Sequence, residues 1–176
     1  MYSNSQICVR NACPNDIPFY ASMLRDKEWM NNSGFRVDDF MADRDILQYI
    51  SLKKNWDVKW VVISKKNNML LGFCHFKQID NRRAETIGGI IKPLMNTIVS
   101  IYSYVQCIDW YFHLNHCQEL ISVIYEKNDR SIKMNQSLGF KVIGERYYDI
   151  RRFYELILSK ENFYQSTVTK RFLKTI

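Results

Sequence analysis

The sequence predicts an α/β fold in which one mixed, mostly antiparallel sheet of about seven strands is flanked by helices on both faces. Short runs rich in β-branched and aromatic residues alternate with helical patterns along the chain. Strands follow one another in the middle, and a strand, a helix and a strand come later. Because no linker or repeat divides the sequence, we predict one domain over residues 1–159 and a basic C-terminal tail over residues 160–176.

The composition favours one folded domain with an anionic partner. The chain has 176 residues, of which 47% are hydrophobic and 14% aromatic, which suffices for a substantial core. A net charge of +7 favours nucleic acid, a membrane surface or a phosphorylated small molecule. The basic residues are scattered, so solvated turns are the first interpretation and phosphate binding by one or two of them is the alternative. We do not expect a nucleic-acid partner.

The cysteines and the apolar segments indicate a cytoplasmic protein. No C-x-x-C pair occurs, and no cysteine has ligand-like spacing to a histidine, so we expect neither a metal site nor disulfides. The first residues lack the apolar core of a secretory leader. The most apolar window contains Gln106 and Asp109 and is too short to span a bilayer. We expect no membrane partner, and a homodimer is left open.

The first part of the chain is predicted to contain one strand and two helices. Residues 7–11 alternate like a strand, and the Pro-Asn-Asp sequence after them opens a helix over residues 17–27. Asp43 caps a second helix over residues 44–54. Between the helices, residues 28–43 are predicted to form a long aromatic loop, which either packs on the core or contacts a substrate.

The remaining elements follow from turn residues and periodicity. Residues 59–64 and 69–78 are predicted to form an antiparallel hairpin, and Pro93 ends the next strand. A helix over residues 97–114 and a strand over residues 120–127 come next. The final hairpin pairs the segments KVIGERYY and FYELILS.

The stretch NDRSIKMNQSLGF, residues 128–140, is the most informative motif. Its periodicity predicts a helix that Asn128 or Asp129 caps and that Gly139 ends in the left-handed conformation. The form N-x-x-S/A-x-x-x-Y/N-x-x-x-G-F is found at this place in the GNAT acetyltransferase superfamily, and this stretch resembles it closely. The order of elements also resembles the GNAT order over nearly the whole chain. The segment IDNRRAETIGGIIKP is similar to a strand of the spermidine, ribosomal-protein and amino-sugar N-acetyltransferases.

This resemblance implies acetyl-CoA as the acyl donor. In the family, backbone N–H groups at the start of the third helix bind the pyrophosphate, and the pantetheine arm lies between the splayed fourth and fifth strands. The resemblance implies contacts from the strand, the loop and the helix of the motif. These cofactor-binding candidates are Gly89, Ile90, Ile91, Asn96, Thr97, Ile98, Val99, Ser100, Asn128, Ser131 and Asn135.

Three positions differ from the family pattern. Thr97 and Val99 stand where the family has glycines, so intact CoA binding and a loop that has lost it are both open. The hydroxyls of Thr97 and Ser100 are predicted as added phosphate donors. Asn135 stands where many relatives have a tyrosine that protonates the CoA thiolate, and asparagine cannot do so. Because a thiolate is a tolerable leaving group, acid assistance is either weak, supplied through water or supplied by another residue, for which Tyr125 is the candidate.

The candidate general base is Glu85, near the start of the fourth of the seven predicted strands. An amine that attacks a thioester must be neutral, so a carboxylate is needed to accept its proton. A surface salt bridge with Arg82 or Arg83 is the alternative interpretation of Glu85. Glu126 and His75 are weaker candidates for the base.

The acceptor is predicted to bind between the aromatic loop and the final hairpin. Trp29, Phe35 and Tyr147 are the candidate aromatic contacts, because such rings stack on sugars and nucleobases. His75 is a further substrate-side candidate, with a packed histidine as the alternative.

The predicted function is direct transfer of an acetyl group from acetyl-CoA to a primary amine of a small molecule. A nucleotide-linked amino sugar is the favoured acceptor, because it suits the basic charge and the aromatic residues. Acetylation of a polyamine or of a protein N-terminus is the alternative. An inactive GNAT-like protein that only binds CoA is a third possibility, because of the missing glycines and tyrosine.

Overall fold

One sheet of eight strands, with helices on both faces, organises the structure. This computed structural model describes residues 2–3, 6–34, 42–51, 58–95, 97–114 and 116–174. The strands are β1 (Tyr2–Ser3), β2 (Ile7–Asn11), β3 (Val58–Ser64), β4 (Leu70–Gln78), β5 (Arg83–Ile90), β6 (Glu119–Tyr125), β7 (Lys141–Tyr148) and β8 (Arg151–Ser159). The helices are α1 (Ile17–Leu24), α2 (Lys27–Ser33), α3 (Asp43–Ser51), α4 (Ile98–Leu114), α5 (Asp129–Ser137), α6 (Lys160–Gln165) and α7 (Thr167–Leu173).

The strands are arranged in the order β1-β2-β3-β4-β5-β6-β8-β7. All neighbouring strands pair antiparallel except β5 and β6, which are parallel. The predicted mixed, mostly antiparallel sheet is therefore confirmed. The short edge strand β1 is an addition to the seven predicted strands.

Two apolar clusters cover the two faces of the sheet. Side chains alternate between the faces of a strand, and in β4 Phe73 joins one cluster while Cys74 and Phe76 join the other. The Phe73 cluster contains residues of α1, α2 and α3. The Phe76 cluster contains residues of α4, α6 and α7. We call these two sides the α2 face and the α4 face.

The first helical region differs from the prediction. The helix predicted over residues 17–27 ends at Leu24, and α2 begins at Lys27 and extends into the segment predicted as an aromatic loop. The physical reason is a new cap, because the carboxylate of Asp26 accepts a hydrogen bond of 2.8 Å from the backbone N–H of Trp29. Gly34, with φ of +77°, ends α2. Phe35 lies outside the described residues.

The motif of residues 128–140 has the predicted conformation. The side chain of Asn128 caps α5 by accepting a hydrogen bond of 3.2 Å from the backbone N–H of Ser131. Gly139 has a φ of +100° after the end of the helix. A Cβ atom there would also lie 2.9 Å from the carbonyl oxygen of Asn162, so two constraints favour glycine.

Residues 160–174 pack against the domain. Ser159 and Ser166 cap α6 and α7 through their side chains. Phe163 and Phe172 belong to the cluster on the α4 face, and Phe163 is completely buried. Residues 160–174, predicted as part of a basic tail, thus form two helices that share the core of the α4 face.

Candidate functional site

The parallel strands β5 and β6 separate after a short paired segment. Their register covers Arg83 to Thr86 on β5 and Glu119 to Ser122 on β6. Beyond this point β5 stays paired with β4 as far as Ile90, and β6 stays paired with β8 as far as Tyr125. Each strand therefore keeps its outer neighbour while a gap opens between the two.

A cavity of about 1010 Å³ occupies this gap. Glu85, Ile87 and Gly89 of β5 line it, and so do the alternate residues of the same strand, Thr86, Gly88 and Ile90. Because successive side chains of a strand point to opposite faces, the cavity passes between the strands and reaches both faces of the sheet.

Polar and small side chains of α4 and α5 form the walls on the α4 face. Four residues of α4 at spacings of three and four lie on one side of the helix and line the cavity. These residues are Ser100, Ser103, Tyr104 and Cys107. The opposite wall comes from α5 and the residues before it, including Asn128, Arg130, Ser131 and Asn135. Burial, above all, raises the pKa of Tyr104, and hydrogen bonds with Thr86 and Ser122 act in the opposite direction.

Asn135 presents an unused hydrogen-bond acceptor to this space. Its Nδ2 atom donates to the carbonyl oxygen of Ser131 at 2.8 Å, which fixes the orientation of the side-chain amide. Its Oδ1 atom is buried and has no hydrogen-bond partner in the described part of the protein. The residue is 3% exposed. An isolated buried acceptor is costly, so this atom is suited to a ligand that brings a donor.

Glu85 lies on the cavity wall beside a network of charges. One oxygen of its carboxylate is 3.5 Å from Nη1 of Arg146. The same guanidinium holds Glu155 more tightly, with Nε and Nη2 donating at 2.7 and 3.0 Å. The hydrogen bonds from Arg146 lower the pKa of Glu155. Arg83, a predicted partner of Glu85, instead binds Asp80 at 2.8 Å. The ion pair of Glu85 is therefore loose, and its partner comes from a distant strand.

His75 is not part of the cavity wall, contrary to the prediction that it contacts the substrate. It is completely buried, and its Nε2 atom is 2.9 Å from the hydroxyl of Tyr20. Burial, with a smaller contribution from the charge of Lys59, lowers its pKa to about 3. The alternative interpretation, a packed and hydrogen-bonded histidine, describes this residue.

Aromatic side chains surround the opening on the α2 face. Trp29 and Phe73 cover Gly89, where a Cβ atom would lie 2.5 Å from the Phe73 ring and 2.9 Å from the Trp29 ring. Tyr125 packs against Phe153 with a ring-centroid distance of 5.3 Å. Tyr147 lines the cavity, and its hydroxyl donates to Glu145 at 3.0 Å.

The sequence matches the acetyltransferase (GNAT) domain over residues 6–141. The chain belongs to the GNAT acetyltransferase family. The predicted class, an acyl-CoA-dependent N-acyltransferase, is thereby confirmed. No protein with curated functional information matches the sequence significantly.

Solved GNAT structures share the fold at low sequence identity. A spermidine N-acetyltransferase from Vibrio cholerae, in complex with CoA and spermine, has a TM-score of 0.78 and 13% identity over 92% of this chain and 99% of its own. An aminoglycoside acetyltransferase in complex with coenzyme A has a TM-score of 0.75 and 11% identity over 91% and 98%. A ribosomal L7/L12 alpha-N-protein acetyltransferase in complex with coenzyme A has a TM-score of 0.74 and 11% identity over 89% and 95%.

The hydroxyl groups of Thr97 and Ser100, at the start of α4, form hydrogen bonds within the chain. Thr97 donates to the carbonyl oxygen of Leu94 at 2.7 Å, and Ser100 donates to the carbonyl oxygen of Thr97 at 2.7 Å. Their role as added donors for phosphate stays a prediction. The first backbone N–H groups of α4, at Ile98 and Val99, are also candidates for that role. Asn96 lies outside the described residues.

The cavity brings together most of the other candidate residues of the GNAT site. The candidates that line it are Glu85, Tyr125, Gly89, Ile90, Ser100, Asn128, Ser131, Asn135, Trp29 and Tyr147. Ile91 instead packs with the cluster on the α2 face. Thr97, Ile98 and Val99 are outside its lining.

Sequence reasoning missed several lining residues. Ser103, Tyr104 and Cys107 follow Ser100 at helical spacing, and this stripe could have indicated them. Arg146, by contrast, reaches Glu85 from the edge strand β7, and no local pattern indicates that contact.

No helix in the described part of the protein is long and apolar enough to cross a membrane.

Proposed function

We propose that this protein transfers the acetyl group of acetyl-CoA directly to a primary amine of a small cationic molecule. The observation that carries the proposal is the cavity through the β5–β6 gap, which connects the α4 face with the α2 face. A donor on one side and an acceptor on the other would meet at the gap. Such positioning replaces a bimolecular encounter by a reaction of two bound groups.

The α4 face suits the donor. The pantetheine arm of CoA carries amide groups, which can form hydrogen bonds with the backbone of an unpaired strand edge. Beyond Thr86, β5 does not pair with β6 and offers such an edge. Asn128, Ser131 and the unpartnered Oδ1 atom of Asn135 would line its route. The start of α4 would face the pyrophosphate. When bound, acetyl-CoA supplies an activated acyl group with a thiolate leaving group.

Glu85 is the proposed base on this chain. An ammonium group must lose a proton before it attacks, and the Glu85 carboxylate lies on the cavity wall where it can accept that proton directly or through water. Glu85 is 3.5 Å from Arg146, whereas Glu155 accepts a hydrogen bond of 2.7 Å from the same guanidinium, so the ion pair of Glu85 is the weaker one. Asn135 has no acidic proton, so Tyr125 remains the proposed proton donor for the leaving thiolate.

A cationic acceptor suits the charges near the opening on the α2 face. Glu85 and Asp149 line the cavity and carry negative charge, while Arg130 and Arg151 of the same lining carry positive charge. Trp29, Tyr125 and Tyr147 offer ring faces that attract cations. A polyamine is therefore the first acceptor to test.

A nucleotide-linked amino sugar is the second candidate acceptor. Tyr147 and Tyr148 are exposed and line the cavity, so they could stack on a nucleobase. Arg151 also lines the cavity and could approach the diphosphate.

Two measurements test the proposal. Calorimetric titration with acetyl-CoA should give micromolar binding, and CoA thiol release should be fast with spermidine or another cationic amine. Glu85→Gln should reduce turnover by about 10²–10⁴-fold, the usual contribution of a general base, with little change in acetyl-CoA affinity.

The matched control is Glu161→Gln, because Glu161 is an exposed glutamate on α6 that is absent from the cavity lining. It should retain wild-type turnover. An unchanged rate for Glu85→Gln would remove Glu85 as the base. Acetyl-CoA binding without thiol release over a broad amine panel would favour a CoA-binding protein that has lost catalysis.

A further inference from the structure

The gap between β5 and β6 ends at a pair of hydroxyl side chains. Thr86 and Ser122 form the last pair of the β5–β6 ladder, and both are buried and line the cavity. Paired residues of neighbouring strands point to the same face. Thr86 also pairs with Phe76, whose side chain belongs to the cluster on the α4 face. The two hydroxyl groups therefore lie on the α4 face, at the closed end of the gap.

Tyr104 of α4 covers this closed end. Its ring lies against Gly88 of β5, where a Cβ atom would be 3.2 Å from it. Burial raises the pKa of Tyr104, and hydrogen bonds with Thr86 and Ser122 partly offset this rise, so the hydroxyl reaches both strands. Tyr104 lines the cavity and is 9% exposed. The side chain therefore spans the α4 face from Gly88 to the last pair of the ladder.

Small buried side chains fill the space behind the Tyr104 ring. Cys74 is beside Gly88 in the strand register, and Cys107 follows Tyr104 by three residues, on the same side of α4. The two thiols are 1% and 0% exposed, and a hydrogen bond joins them. Because protein interiors are close-packed, a ligand atom can enter this region only in place of the ring.

The direction of attack leads an acyl chain toward Tyr104. Glu85, the proposed base, precedes Thr86 in β5 and therefore points to the opposite face of the sheet, the α2 face. The amine would thus approach the thioester from the α2 face and would occupy that side of its carbonyl carbon. Further carbons of an acyl chain must then extend along the gap or toward the α4 face. The gap ends at Thr86 and Ser122, and the ring of Tyr104 covers the α4 face there.

We propose that Tyr104 restricts the acyl donor to acetyl-CoA, because a longer acyl chain would meet its ring at the closed end of the gap. The proposal rests on the proposed function, in which the acyl group is carried into the gap on CoA. It deepens that function by naming the side chain that selects the donor. Truncation of a large buried side chain leaves a cavity that can bind an apolar ligand of matching size. Removing the ring of Tyr104 should therefore make room for a longer chain.

The test compares the affinities of acetyl-CoA and butyryl-CoA by calorimetry on the full chain. Wild type should bind acetyl-CoA at least about tenfold more tightly, the usual penalty for overfilling a packed site. Tyr104→Ala should reduce this preference at least about tenfold, whereas Tyr104→Phe keeps the ring and should keep the wild-type ratio. Equal affinities in wild type, or an unchanged ratio in Tyr104→Ala, would overturn the proposal. So would equal shifts in Tyr104→Phe and Tyr104→Ala, because the hydroxyl and not the ring would then decide.

A second truncation separates the effect of the ring from a general loosening of α4. Tyr111 is also buried on α4, stacks on Phe76 with ring centroids 4.0 Å apart and is absent from the cavity lining. Tyr111→Ala should keep the wild-type ratio, and a shift equal to that of Tyr104→Ala would contradict the role of Tyr104. Tyr104→Val removes less of the core, should shift the ratio in the same direction, and replaces the alanine variant if that one does not fold. Failure of wild type to bind acetyl-CoA would instead refute the donor site and the proposed function, and this proposal with them.

Discussion

At the scale of single residues, Glu85 shows how a distant contact decides the environment of a candidate base. Its neighbours in sequence suggested a salt bridge with Arg82 or Arg83, but Asp80 accepts hydrogen bonds from both backbone N–H groups and from the Arg83 side chain. Arg146 approaches from β7 because the strand order places β8 and β7 beyond β6. The sequence could indicate Glu85 as a candidate, and only the sheet topology reveals its partner.

His75 is predicted to make stability depend on pH. Its pKa falls from 6.5 to about 3 on folding, so between these values the unfolded state binds more protons than the folded state. This stabilisation is fully present above pH 6.5 and decreases as the pH falls. The free energy of unfolding should decrease by up to about 1.4 kcal/mol per pH unit from this residue alone.

Urea denaturation of wild type and His75→Gln at pH 7, 6 and 5 measures this effect. The variant should show a shallower decrease, by up to the same amount per pH unit. Equal slopes would mean that His75 takes up its proton in the folded state. NMR titration of the His75 ring would then show the change directly, and the prediction requires that its signals do not move between pH 7 and pH 5.

At the scale of elements, the stability effects of replacing two glycines can be compared: Gly139 lies after the end of α5, and Gly144 lies in strand β7. Gly139→Ala should destabilise the protein by at least about 1 kcal/mol, because a left-handed φ is costly for alanine and the new Cβ atom would meet Asn162. Gly144→Ala is the matched control, since nothing lies within 4 Å of its Cβ position. Its effect should stay within about 0.5 kcal/mol. Thermal or urea denaturation compares the two, and equal losses would contradict the assigned role of Gly139.

The elements also show which local signals were sufficient. The caps of α5 are side-chain and glycine signals within a few residues, so the helix of the motif was predicted closely. The break between α1 and α2 depends on Asp26, a cap inside a continuous helical pattern, which the wider periodicity concealed. The sequence could not show that the hydroxyls of Thr97 and Ser100 bond to carbonyl oxygens of their own turn, because these bonds depend on the local backbone conformation.

At the scale of the whole molecule, the C-terminal helices are predicted to be essential for stability. Phe163 of α6 is buried against Phe112 of α4, with ring centroids 5.6 Å apart. Phe163→Ala should cost about 3–5 kcal/mol of unfolding free energy. Ile150→Ala, at a residue 90% exposed on the β7–β8 turn, should change it by less than about 0.5 kcal/mol. Denaturant unfolding measures both, and a small effect at Phe163 would show that α6 is dispensable.

The short contact between β5 and β6 divides the sheet into two blocks, β1 to β5 and β6 to β8, and among the described residues the strand pairing between them runs from Arg83–Glu119 to Thr86–Ser122. Beyond this ladder the facing edges have no strand between them. A ligand that bonds to both edges would act as a missing strand and bridge the blocks. Ligand binding would then protect the backbone of both strand edges, and amide hydrogen exchange would become slower along Ile87 to Ile90 and Val123 to Tyr125.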